Sequence, residues 1–164
     1  MRPPDEIRLR RAIRALLWLF IIGLVLSGAT AIPLENELKF ITEFLSGPST
    51  LDHWLQVVRD ALVATNEPYP FLAYGTDWLA FGHFAIAIVF IGPLRDPVKN
   101  IWVIEFGIIA CLAVIPYALI MGQLRGIPLY WRMIDCTFGI LGIIPLLLCR
   151  RLTLRLASLT TARD

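Results

Sequence analysis

Four stretches of this chain each approach the roughly 20 consecutive apolar residues that a ~30 Å hydrocarbon layer demands, and nothing else in the sequence restricts the fold as much. They run from about Ala12 to Ile32, Phe71 to Leu94, Ile101 to Met121 and Trp131 to Cys149. A peptide group in lipid has no water to bond, so each stretch must satisfy its own backbone, which means a helix. No alternation of period two competes with that reading. Composition agrees: 57% of the 164 residues are hydrophobic and only 17% are charged, where a soluble domain carries about 25%. A chain of this length cannot hide such an excess in one water-facing core. The expected fold is an all-α integral membrane four-helix bundle, up-down-up-down, in a single transmembrane domain. A helical extracytoplasmic segment is expected between the first and second helices, over 33–70, with a cytoplasmic tail over 150–164.

The first stretch invites comparison with a signal peptide, since Arg8, Arg10, Arg11 and Arg14 precede it and Ala29-Thr30-Ala31 resembles a cleavage site. Its apolar run exceeds a usual signal core, so an uncleaved anchor helix is expected. Orientation follows from the basic residues. With the N-terminus inside, the inner segments hold Arg2, Arg8, Arg10, Arg11, Arg14, Arg95, Lys99, Arg150, Arg151, Arg155 and Arg163. The outer segments hold only Lys39, Arg59, Arg125 and Arg132. Both termini are therefore expected in the cytoplasm of a bacterial inner membrane.

The segment 33–70 is acidic, with Glu35, Glu37, Glu43, Asp52, Asp60 and Glu67 against two basic residues. Two short helices broken at Ser46-Gly47-Pro48 are expected there. The second should begin at Ser49, whose hydroxyl can cap the amide of Asp52. Leu51, Trp54, Leu55, Val58 and Leu62 then fall on one apolar stripe. A helix of that kind either rests on the membrane surface or roofs the bundle. The short links 95–100 and 122–128 imply antiparallel hairpins, and the basic-apolar tail from Arg150 is expected to lie against anionic lipid.

Ionisable residues inside a span cost about 2.5–3.5 kcal/mol each on insertion scales, so each requires a partner or a purpose. Asp77 and Asp135 are expected at one depth near the outer mouth. Arg132 lies three residues before Asp135 on the same face, Arg125 lies in the adjoining loop, and Trp78 and Trp131 belong to the aromatic belt. The bland reading is a set of ion pairs joining the second and fourth spans. The functional reading is a pocket for a polar head group or small anion. His83 faces Ala80 and Ala87 along a small-residue strip, for which an interhelical hydrogen bond competes with a haem or quinone role. No second membrane histidine is present to complete a haem site. Near the inner face, Glu105 is expected to pair with Arg95 beside Asp96, closing the hairpin.

The three cysteines, Cys111, Cys136 and Cys149, form no C-x-x-C, so neither a disulfide framework nor a zinc site is expected. A net charge of +2, with no basic patch interleaved with aromatics, argues against nucleic acid. Phosphate loops, nucleophile elbows and zinc-protease signatures are absent. No catalytic residue, metal or resident cofactor is expected. The leading expectation is a non-catalytic membrane subunit with the lipid bilayer and a protein partner, or a second copy, as its contacts. A small-molecule or lipid binding protein using the Asp/Arg pocket is the alternative, and a redox component centred on His83 the next.

Overall fold

The computed structural model describes residues 4–44 and 49–161. Arg2, Arg163 and the Ser46-Gly47-Pro48 break lie outside them. The described residues are mostly helical, with no strand among them. In chain order they form α1 (Pro4–Ala31), α2 (Leu34–Phe44), α3 (Thr50–Asn66), a 3-10 turn (Pro70–Ala73), α4 (Tyr74–Val89), α5 (Ile91–Arg95), α6 (Ile101–Leu124) and α7 (Leu129–Thr161). Four segments are long and apolar enough to cross a membrane: Pro4–Ala31, Pro70–Arg95, Ile101–Leu124 and most of α7. Their large side chains, Ile88, Ile109 and Phe138 among them, stand outward. Water tolerates such a surface poorly and lipid tolerates it well.

Helix ends follow local chemistry. α1 begins two turns earlier than its apolar run, because Pro4 suits a first turn and Asp5 and Glu6 complement the dipole there. Glu6 also accepts from Arg10 at 2.8 Å. The second apolar segment breaks after Val89, four residues before Pro93, whose ring excludes the preceding helical carbonyl. α3 starts as its sequence signals: Ser49 Oγ accepts from the Asp52 amide at 3.1 Å. α6 ends in a Schellman closure. Gly126 takes φ +71°, the Ile127 amide reaches the Gly122 carbonyl at 2.8 Å, and the Gly126 amide reaches that of Gln123.

Packing divides the chain into two compact units, 1–22 with 88–164, and 23–87. In the first, α6 and α7 form an antiparallel pair whose register is visible in its glycines. A Cβ on Gly139 would stand 2.6 Å from the Cys111 carbonyl oxygen, and one on Gly107 2.9 Å from Leu146. Small residues bring the two backbones together, as in membrane helix pairs. Along α7 the buried positions Cys136, Gly139, Leu146, Cys149, Thr153 and Leu156 recur at threes, fours and sevens, the spacing of a knobs-into-holes seam. The seam runs past Arg150. The sequence suggested a surface tail there; the structure continues the helix and buries Thr153 and Leu156 fully.

The second unit holds the end of α1, the α2–α3 hairpin, the 3-10 turn and α4. Gly28 of α1 lies against the Ala80 carbonyl and the side chains of His83 and Phe84, each 3.0 Å from where a Cβ would stand. The small-residue strip of α4 is thus where α1 makes its close approach. In the hairpin, Leu38 and Leu55 are buried. Arg59 donates to Thr42 Oγ1 at 3.0 Å and Asn66 to Glu35 Oε2 at 2.8 Å, tying α2 to α3 at two levels.

Candidate functional site

Of the residues expected to form one polar pocket, Asp77, Trp78 and His83 belong to the second unit, and Arg125, Trp131, Arg132 and Asp135 to the first. Arg132 is largely committed within its own unit. Its Nη1 donates to the Leu119 carbonyl at 3.1 Å and lies 3.5 Å from Gln123 Oε1. The missing side chain of Gly122 makes room for its stem, since a Cβ there would meet Arg132 Cδ at 2.5 Å. A cation over the last turns of a helix complements its exposed carbonyls. Arg132 therefore fastens α7 to the end of α6, and its buried Nε has no partner. Trp131 and Asp135 are half-buried on α7, and Arg125 is exposed in the turn.

On α4, Asp77 and Trp78 are exposed. Trp78 packs edge-on between Tyr74 and Phe81, with ring centroids 5.9 and 5.4 Å away. The expected interhelical bond of His83 is replaced by a local one. Its Nδ1–H donates to the Leu79 carbonyl 2.8 Å away, one turn back on its own helix. Among the described residues, no group of three or more His, Cys, Asp or Glu side chains could hold a metal ion.

The second expected cluster is also rearranged. Glu105 accepts from Arg150 Nε at 2.8 Å, not from Arg95. Asp96 serves the connector itself, its Oδ1 accepting from the amides of Val98 and Lys99 at 3.2 Å each. Asn100 closes the same loop on the carbonyls of Gly92 and Asp96. Arg95 is exposed. Arg150 could have been found from the sequence. The tight 122–128 turn sets an antiparallel register in which Glu105 faces the end of the fourth apolar run.

Comparison with known proteins finds no matching family model, no similar curated protein and no similar solved structure. The chemistry must therefore be read from the residues alone.

A shallow surface feature lies on the α2–α3 hairpin. A groove of about 590 Å³ runs between the two helices, lined by Lys39, Glu43, Arg59, Asp60, Val63, Ala64 and Glu67. Several of its charges are paired. Lys39 holds Glu35 at 2.7 Å, and Arg59 holds Asp60 at 2.7 Å while also reaching Thr42. The hydrogen bond from Lys39, with a second from Asn66, keeps the Glu35 carboxyl below the ordinary carboxylate range. Preset charges around an apolar floor of Val63 and Ala64 suit recognition of a partner surface. The sequence signal was the acid-rich stretch itself; what it lacked was the pairing of α2 with α3.

Proposed function

We propose that this chain is a non-catalytic, multi-pass subunit of a bacterial inner membrane, with both termini cytoplasmic, that docks a protein partner on the groove of its α2–α3 hairpin. The groove carries the reading: it is a concave surface of preset charges on a hairpin tied at Thr42–Arg59 and Glu35–Asn66. Eleven basic residues against four support the orientation, which puts the hairpin outside the cell membrane's cytoplasmic face. Acidic side chains outnumber basic ones along 33–70, so the partner face should present lysine or arginine.

The test is native purification in mild detergent, with mass spectrometry of what accompanies the chain at fixed stoichiometry. A protein companion that is lost from an E43K/E67K variant of normal abundance supports the proposal. A chain without a stoichiometric protein companion, or a companion indifferent to both charge reversals, rejects it.

One observation favours a second reading, binding of a small anion or lipid head group. The buried Nε of Arg132 is unpartnered, and the Asp135 carboxyl stands three residues further along the same helix. Under that reading a D135N variant keeps its folded yield but loses the thermal stabilisation conferred by the co-purifying ligand. Under the first, the same change leaves the protein companion in place.

A further inference from the structure

We infer that α2 is an interfacial helix, seating Phe40 and Phe44 among the lipids at the outer membrane surface and so fixing the depth at which the hairpin is held. Its apolar arc is wider than α3 covers. Leu38 and Thr42 are buried against α3, whereas Phe40 and Phe44 remain 62% and 75% exposed, one turn apart with ring centroids at 4.7 Å. Ile41 lies between the two sets, and a shallow depression lined by Asn36, Glu37, Phe40 and Ile41 adjoins them, with Glu37 falling between Phe44 and Ile41 around the helix. The opposite arc carries Glu35, Lys39 and Glu43, two of which line the groove. Apart from Glu37 at its first turn, one face is thus suited to hydrocarbon and the other to water, the division found in helices that lie in a membrane surface.

Chain continuity selects lipid as the occupant. Only Ile32 and Pro33 separate α2 from the end of α1. Three residue steps span at most about 11 Å, so α2 must begin at the level where the first crossing ends. The other exposed aromatic group of this unit, Tyr69, Phe71, Tyr74 and Trp78, likewise stands at the start of a crossing segment. Phenylalanine prefers the acyl side of such a boundary, and Tyr and Trp the head-group level. Glu37, on the exposed side of α2, sits in its first turn, where the dipole favours an acid. The inference rests on the transmembrane reading of α1 and not on any partner in the groove.

The test uses the full chain in phosphatidylcholine vesicles with single added tryptophans: F40W, F44W, E43W on the polar arc and I109W midway along α6. Each signal is read as the difference from the unsubstituted chain. The quenchers are phosphatidylcholine brominated on the upper acyl chain and aqueous acrylamide on both sides. F40W and F44W should be quenched at least about twofold more strongly by the brominated lipid than E43W, with the order reversed for acrylamide. Equal acrylamide quenching at all three positions overturns the inference, as does protection of F40W and F44W from both quenchers, which would mean a protein cover. I109W separates the premises. If brominated lipid quenches it while F40W and F44W stay aqueous, α2 alone has been misplaced; if it is not quenched, the transmembrane reading falls and the inference with it.

Discussion

Glycines show most directly how single positions decide this packing. Gly139 has the Cys111 carbonyl oxygen 2.6 Å from where a Cβ would stand, and a backbone oxygen cannot move aside cheaply. Gly23 has nothing within 4 Å. G139A should therefore cost about 1–3 kcal/mol as overpacking, whereas G23A should be neutral or gain up to about 1 kcal/mol of helix propensity. Thermal unfolding of both variants in one detergent checks the contrast, and similar melting temperatures would show that α6 and α7 are not in close contact there. At this scale the sequence was legible in part. It marked Ser49 as a cap, because that bond depends on neighbours within a turn. It assigned Glu105 to Arg95 through closeness in sequence, when the partner that meets it is Arg150, 45 residues away and set by helix register.

Among the elements, the α2–α3 hairpin and the end of α7 carry the strongest expectations. The Glu35 carboxyl is lowered first by the hydrogen bond from Lys39, one turn along α2, and then by that from Asn66 across the hairpin, both made in the folded chain. The unfolded chain therefore binds its proton at higher pH. This contribution is complete above the ordinary glutamate range and is lost as the pH falls through the lowered value. The thermal stability difference between the natural chain and E35Q should accordingly be largest near neutrality and shrink below about pH 4; a difference that grows on acidification would reverse the assignment. For α7, L156A should cost about 2–5 kcal/mol, as truncation of a buried leucine does, while L154A, two positions away and exposed, should cost far less. Equal melting temperatures would return residues beyond Arg150 to the role of a loose tail. The sequence pointed to a tail because alternating arginine and leucine reads as interfacial. The heptad continuing through Thr153 and Leu156 was the overlooked signal.

For the molecule as a whole, the number of helices long and apolar enough to cross a membrane was legible, since length and hydropathy alone determine it among the described residues. The topology built on them is open to direct measurement. Reporter fusions that require the cytoplasm should be active at both termini, and one that requires export should be active only when inserted near Glu67. Termini on opposite sides would leave an odd number of crossings and overturn the proposed orientation. The polar pocket was less legible, because it demanded that residues from separate crossings share a depth and a face, which periodicity within each crossing does not contain. Within their own units, Arg132 bonds to α6 and His83 to its own helix.

α7 is 33 residues long, about 50 Å at the usual rise, against a hydrocarbon layer of about 30 Å. Its only interior proline is Pro145, so from Leu146 onward nothing interrupts the hydrogen-bond ladder. Residues 146–161 of α7 form one uninterrupted helical stretch. With Thr153 and Leu156 buried along it, this stretch backs the Arg150–Glu105 pair with packed, unbroken helix, so that strain at the pair has no nearby hinge in which to dissipate.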